Sequence, residues 1–277
     1  MMRDRTRRAL LQGVKATAWV TDRLRAPKRG VVVLLYHRIG GGSRLEMDLP
    51  VGLFIRQLEL LSQMDVIGLS EAVAVLTSRG DGDAADRQPV VVSFDDGTAD
   101  FVDTALPLLV RYRIPATLYL ATRFVEERKT FPHGGAPLSW GAVRDAMSTG
   151  LVTVGSHTHS HLLLDHAGPA EAETDLRRST ELIGERLDVR AEHFAYPKAR
   201  LPRGHIETIV RQLFGSAAVG GNRANVPGHT DVHRLARSPI QASDGMRWFG
   251  AKLSGGLALE ERLRGTFRGA RHASSPD

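Results

Sequence analysis

Two adjacent carboxylates, Asp95 and Asp96, follow directly after the apolar run Val90-Val91-Val92-Ser93-Phe94. That run has the composition of a strand buried on both faces, so we expect the pair at the carboxyl end of a buried strand. Neighbouring carboxylates repel each other and lose hydration when buried, so a bound metal ion or a proton must relieve one of them. Considered alone, the pair is equally compatible with an Asx-type turn in which Gly97 supplies the turn geometry.

A second polar cluster, His157-Thr158-His159-Ser160-His161, follows the apolar segment 151–154. His157 and His161 are four residues apart, so on a helical turn, or in a loop coiled like one, both imidazoles point the same way. Two imidazoles and one carboxylate leave an open position on a divalent cation, which is the arrangement of a hydrolytic metal site. His159 falls on another face and is not expected to be a ligand. A polar loop without function is the alternative, and the Asp95-Asp96 pair at another strand end makes it less favoured.

A third polar cluster, Tyr36-His37-Arg38, ends the apolar run that begins at Val31. In α/β folds, functional groups gather at the carboxyl ends of parallel strands. Because all three clusters follow strand-like segments, we expect them to meet in one site.

Apolar strand-like segments alternate with helical patterns along the chain. We predict strands at 31–36, 90–94, 116–120, 151–154, 194–195, 216–219 and 235–240, and helices at 51–64, 70–76, 99–112, 139–150, 169–187, 203–213 and 244–264. Repeated strand–helix units with apolar strands predict an α/β fold whose parallel sheet is covered by helices.

The composition is that of a globular protein. The 277 residues suit one large α/β domain, and hydrophobic residues make up 42% of them. There is no cysteine, which excludes a disulfide framework, a thiolate metal site and a cysteine nucleophile.

The net charge of +6 lies almost entirely in residues 1–30, which carry nine cations and two anions. Such a basic arm is either a solvated tail or a weak peripheral contact with a membrane surface. Nucleic-acid binding is not expected, since no recognition motif accompanies the arm. The chain has no stretch resembling a membrane span or the roughly 7–15 apolar residues of a signal-peptide core, so we expect a cytoplasmic protein.

Two of these clusters resemble a known family. Ser93-Phe94-Asp95-Asp96-Gly97 resembles the Thr/Ser-Phe-Asp-Asp-Gly motif of the NodB-like polysaccharide deacetylases (carbohydrate esterase family 4), and the segment from His157 to His161 is similar to their His-Ser/Thr-x-x-His metal motif. The resemblance covers about residues 31–240. It implies a distorted (β/α) barrel that removes N-acetyl groups from a polysaccharide or glycan precursor.

The same resemblance implies a set of site residues. Asp96, His157 and His161 would bind a divalent metal ion, with Zn²⁺ favoured over Co²⁺, Ni²⁺ and Fe²⁺. Asp95 would act as the general base, and metal-bound water as the nucleophile.

The third motif of the family, Arg-x-Pro-Tyr, is altered here to Ala195-Tyr196-Pro197-Lys198. The arginine that would orient the base is replaced by Ala195. Lys198 stands where the tyrosine would supply a backbone N–H to the oxyanion, and the backbone of Lys198 could take over that catalytic role. A charge on the rim of the site is an equally good interpretation of Lys198.

The family's usual Leu-His proton donor near the C-terminus is absent. A circularly permuted branch, resembling biofilm-polysaccharide deacetylases, carries Tyr-His on its first strand, and Tyr36-His37 fits that arrangement. We therefore predict His37 as the general acid, with a structural histidine that caps the strand as the alternative, and Tyr36 as a packing residue. Asp231 and Arg234 are weaker candidates for contact with the site.

Three domain segments follow: a basic arm at 1–30, a catalytic domain at 31–265 and a frayed tail at 266–277. An O-acetyl esterase with the same site, or a glycan-binding pseudoenzyme that lost the base-orienting arginine, are the alternative functions. The oligomeric state is not indicated by the sequence.

Overall fold

The computed structural model describes residues 29–78, 88–132, 134–202 and 204–257, together with residue 13. Three predicted segments lie wholly or partly outside these residues: most of the arm at 1–30, the end of the helix at 244–264 and the whole tail at 266–277. The three-segment division therefore stays a prediction.

Seven parallel strands close into a barrel. These strands are β1 (Val32–Tyr36), β4 (Val90–Phe94), β5 (Ala116–Leu120), β6 (Val152–Ser156), β7 (His193–Ala195), β8 (Ser216–Gly220) and β9 (Leu235–Pro239), and each pairs with the next before β9 pairs back with β1. Two short strands, β2 (Arg38–Ile39) and β3 (Asp48–Leu49), form a separate parallel pair beside the end of β1. The architecture is the (β/α) barrel that the sequence predicted.

Helices pack against the barrel. They are α1 (Val51–Leu61), α2 (Leu69–Thr77), α3 (Leu106–Tyr112), α4 (Thr122–Glu126), α5 (Trp140–Ser148), α6 (Pro169–Leu187), α7 (His205–Leu213) and α8 (Gly245–Leu253), and a π-helical turn (Phe101–Ala105) leads into α3. No helix in the described ranges combines the length and the apolar character that a membrane crossing requires.

Side chains alternate along each strand between the helical layer and the barrel interior. On β1, Val32, Leu34 and Tyr36 belong to the large outer core, whereas Val33 belongs to the smaller interior cluster. Because side chains alternate with a period of two, His37 continues the inward series of Val33. The same alternation carries Asp95 over the barrel interior.

The outer core is rich in aromatic rings beneath the first two barrel strands. Tyr36 stacks on Phe94 with ring centroids 5.3 Å apart, and its hydroxyl donates to Gln57 at 3.0 Å. Tyr36 is fully buried and packs in the core, as predicted, whereas the next residue, His37, lines the cavity.

Differences between prediction and structure concentrate at helix ends. Helix α2 begins at Leu69, one residue before the predicted start, and Gly68 is its N-cap. Ser139 does cap α5, because its hydroxyl accepts a hydrogen bond from the Ala142 N–H. The segment 122–138, for which no helix or strand was predicted, contains the short helix α4.

Candidate active site

One cavity of about 560 Å³ lies over the carboxyl end of the barrel. Its walls include all six residues predicted from the sequence: His37, Asp95, Asp96, His157, His161 and Lys198. These residues come from four strand ends, and closure of the barrel brings them together, as expected for this fold class.

The turn at 95–97 separates the two adjacent carboxylates. Asp95 is hydrogen-bonded through its N–H to the Tyr36 carbonyl at 3.0 Å, and the chain then passes through left-handed conformations at Asp96 (φ 75°) and Gly97 (φ 91°). The left-handed backbone favours glycine at position 97, and a Cβ atom there would lie 2.7 Å from Leu120 Cδ2, so Leu120 would have to move. Asp95 is buried by this turn, whereas Asp96 is half-buried at the cavity wall.

Asp95 is held by an arginine that the sequence analysis did not identify. The guanidinium of Arg237, on β9, donates to both carboxylate oxygens of Asp95 at 2.6 and 2.9 Å, and both side chains are buried. Burial acts to raise the pKa of Asp95, but the charge and hydrogen bonds of Arg237 and the charge of His157 overcome it and lower the pKa to about 2. Asp95 is therefore a carboxylate at neutral pH.

This ion pair changes how the altered third motif is interpreted. Ala195 does leave β7 without an arginine at this position, but Arg237 contacts Asp95, the predicted base, from another strand. Arg237, and not Lys198, therefore holds Asp95. The reason for considering a pseudoenzyme, namely the lost arginine, disappears.

The predicted metal ligands lie at distances suited to one cation. Asp96 Oδ1 is 3.7 Å from His157 Nε2 and 3.5 Å from His161 Nε2, and the three ligand atoms all lie within 4.8 Å of one another. Ligands about 2.1 Å from a tetrahedral zinc ion are about 3.4 Å apart. The three side chains therefore fit a divalent cation between them.

Hydrogen bonding orients His157 for this role. Its Nδ1 lies 2.7 Å from the carbonyl oxygen of Ala195 and must donate to it, which leaves Nε2 with a free lone pair facing Asp96. His161 is also suited to coordination, because burial and the nearby charge of His157 lower its pKa to about 4. A neutral imidazole is the form that binds a metal.

The two histidines are brought together by a loop and not by a helical turn. Thr158 and His161 have left-handed backbones, with φ of 65° and 60°. Asp175 on α6 fastens this loop by accepting hydrogen bonds from the N–H of His159 at 2.6 Å and of Ser160 at 3.1 Å. His159 contacts Thr122 at 3.0 Å and is not among the cavity-lining residues, in agreement with its predicted exclusion from the ligands.

His37 is half-buried in the same cavity. Burial lowers its pKa, while the negative charges of Asp96 and Asp95 act in the opposite direction. Burial is the larger effect, so the net pKa of His37 is lowered.

Lys198 reaches the cavity from the end of β7 through an unusual backbone. It lies in a short 3₁₀ turn with φ of 55°, followed by Ala199 with φ of 56°. Its side chain is exposed at the rim.

Asp231 and Arg234 do not contact the site, so their weak assignment was wrong. Asp231 pairs with Arg211 and Arg234 with Glu207 on the outside of the barrel, and neither lines the cavity. Their position in a polar loop between β8 and β9 explains this pairing with surface residues.

Comparison with known proteins agrees with the geometry. The sequence profile of the family described as "Polysaccharide deacetylase" matches residues 82–213. The putative polysaccharide deacetylase YxkH of Bacillus subtilis is 22% identical over 209 residues, which cover 75% of this chain and 71% of that protein.

Two solved structures share the fold over most of the chain. IcaB from Ammonifex degensii has a TM-score of 0.70 and 25% identity, covering 82% of this chain and 98% of its own. The Streptococcus pyogenes deacetylase PplD, solved in complex with acetate, has a TM-score of 0.68 and 21% identity, covering 80% of this chain and 97% of its own. With the two motifs meeting in one cavity, these similarities support a deacetylase of the NodB-like polysaccharide deacetylase type.

Proposed function

We propose that this deacetylase hydrolyses N-acetyl groups on a polysaccharide or glycan precursor with a divalent cation held by Asp96, His157 and His161. The observation that carries the proposal is the placement of these three ligand atoms within 4.8 Å of one another, beside an ionised and buried Asp95. An N-acetylated carbohydrate is the expected partner.

The donor set suits zinc best. One carboxylate and two neutral imidazoles are borderline ligands that also accept Co²⁺, Ni²⁺ or Fe²⁺. A cation bound there would polarise the acetyl carbonyl and acidify a nearby water molecule.

Asp95 is the proton acceptor in this proposal. Arg237 keeps the carboxylate ionised and fixes its plane through two hydrogen bonds. With a pKa of about 2, Asp95 does not retain the proton that it takes from the attacking water. That proton can therefore pass to the proton donor of the site after the amine has left, which restores both groups.

His37 is the proposed proton donor to the leaving nitrogen. An amide anion is a poor leaving group, so nitrogen must be protonated as the C–N bond breaks. Burial lowers the pKa of His37, which makes its imidazolium a stronger acid. The backbone N–H of Lys198 is the proposed donor to the oxyanion, a role that is independent of its side chain.

The substitution Asp95→Asn tests this assignment. It keeps the shape of the side chain but removes the proton acceptor, so acetate release from an N-acetylglucosamine oligomer should be lost while elemental analysis still finds the metal. Asp145→Asn, on the exposed face of α5, is the matched control and should keep both. Full activity of Asp95→Asn would show that Asp95 is not the base.

A further inference from the structure

Three cations line the cavity: Arg38, Lys198 and Arg200. Among the described residues, the carboxylates that line it are Asp95 and Asp96. Asp95 is already neutralised by Arg237, and Asp96 is one of the proposed metal ligands. Arg38 and Arg200 also have carboxylate partners, so the excess positive charge that the cavity presents is that of Lys198.

Lys198 differs from the other two cations. Arg38 lies 3.4 Å from the Asp100 carboxylate, and Arg200 lies 3.0 Å from that of Asp165. Within the described ranges, no carboxylate lies within 4.0 Å of the Lys198 ammonium. Its charge is exposed at the rim and is open to a ligand.

The backbone holds Lys198 at this place. Lys198 and Ala199 are consecutive non-glycine residues in the left-handed region, which is uncommon for side chains of this kind. Ala199 N–H donates to the Tyr196 carbonyl at 2.8 Å, and a Cβ on Gly220 would lie 3.0 Å from the Ala199 Cβ. The tight approach between β8 and this turn keeps the lysine at the cavity rim.

We propose that Lys198, supported by Arg38 and Arg200, selects glycans that carry a negative group, a carboxylate or a phosphate, on or beside the acetylated sugar. This inference rests on the proposed function, because it names the substrate class of that same site. A cation in a partly enclosed cleft attracts an anionic ligand more strongly than it would in open water, and it favours anionic over neutral ligands of the same shape.

Matched substrates isolate the charge. A hyaluronan tetrasaccharide alternates N-acetylglucosamine with uronic acid, and its uronate methyl ester is the same molecule without the negative charges. N-acetylglucosamine 6-phosphate against N-acetylglucosamine provides the phosphate arm. For each pair, the ratio of kcat/KM for the anionic to the neutral substrate is measured by acetate release.

We expect the wild-type ratio to exceed one for at least one pair. Lys198→Gln should lower this ratio by about two- to fivefold, the effect of one exposed ion pair. Lys198→Arg should retain the ratio, and Lys129→Gln, an exposed lysine over the Phe124 ring outside the cavity, should not change it. The pair that responds identifies carboxylate or phosphate. Equal ratios for wild type and Lys198→Gln with both pairs would overturn the inference.

A binding measurement separates this inference from the proposed reaction. The affinity of metal-loaded Asp95→Asn for the tetrasaccharide and its methyl ester is measured by calorimetry, with and without Lys198→Gln. Charge-dependent binding without acetate release from any substrate by the wild type would contradict the proposed reaction and support the charge selection. Acetate release by the wild type together with charge-independent binding would support the proposed reaction and contradict the charge selection.

Discussion

The ion pair between Arg237 and Asp95 makes the most direct prediction about stability. Arg237→Met replaces the guanidinium with a side chain of similar length and leaves Asp95 buried without its charge partner. Because Asp95 is only 3% exposed, water can replace little of the lost interaction.

The size of the effect follows from the pKa of Asp95. Lowering this pKa from 3.8 to about 2 corresponds to about 2 kcal/mol of stability at neutral pH. Since the folded-state pKa is the lower one, this stability is fully present above about pH 4 and is lost as the pH falls toward 2. Removing one partner of a buried pair typically costs about 3–5 kcal/mol, so we expect Arg237→Met to lose about 2–5 kcal/mol.

A double-mutant cycle tests the pairing itself. The free energy of unfolding is measured by urea denaturation at pH 7, on metal-free protein, for Arg237→Met, Asp95→Asn and the double variant. Asp95→Asn removes the buried charge that Arg237→Met leaves alone, so the double variant should be more stable than the sum of the single effects predicts, by about 2 kcal/mol or more.

Activity gives a second readout of the same variant. Without Arg237, burial raises the pKa of Asp95, and the acid limb of the pH–rate profile should move upward in Arg237→Met. Arg234→Met, which removes an exposed ion pair with Glu207, is the control and should cost less than about 1 kcal/mol. Additivity of the two single variants within about 0.5 kcal/mol would refute the coupling.

Three further substitutions test other parts of the site. His37→Gln should reduce acetate release from an amide by about 10²–10⁴-fold. It should reduce acetate release from an activated acetyl ester far less, because an ester oxygen needs little protonation to leave. Equal losses with both substrates would argue against His37 as a proton donor. Gly97→Ala should lower the melting temperature and acetate release together, because its methyl group would meet Leu120 Cδ2 at 2.7 Å, and an unchanged thermal transition would contradict the steric argument. Asp175→Asn should weaken zinc binding by about 10–100-fold, measured by competition with a chromophoric chelator. Glu181→Gln on the same helix should leave the zinc affinity unchanged. Equal affinities for the two variants would show that the loop between His157 and His161 does not need Asp175.

The strands and the motif residues were predictable because their signals are local. Strands 90–94 and 116–120 coincide with the structure, since continuous apolar runs mark strands buried on both faces. The proximity of His157 and His161 was also predicted, although a loop with two left-handed residues, and not a helical turn, produces it. Spacing along the chain indicated the contact but not the backbone that makes it.

Arg237 was missed because its partner is distant along the chain. Asp95 lies 142 residues away, and no short motif connects the two positions. A signal was nevertheless present. Across the seven described barrel strands, Arg237 is the one position occupied by Lys, Arg, Asp or Glu, and such a charge inside an apolar strand requires a partner.

The position of Arg237 also indicates how a barrel can tolerate an altered motif. The strands run parallel and close on themselves, so their carboxyl ends all border one cavity, and a long side chain on β9 reaches a base at the end of β4. The family match ends at residue 213 and begins after β1, so both Arg237 and His37 lie outside it. Closure of the barrel determines where in the cavity a charged group is needed, but any of several strands can carry the residue that provides it. A residue that one strand lacks should therefore be sought on every other strand before the chain is judged inactive.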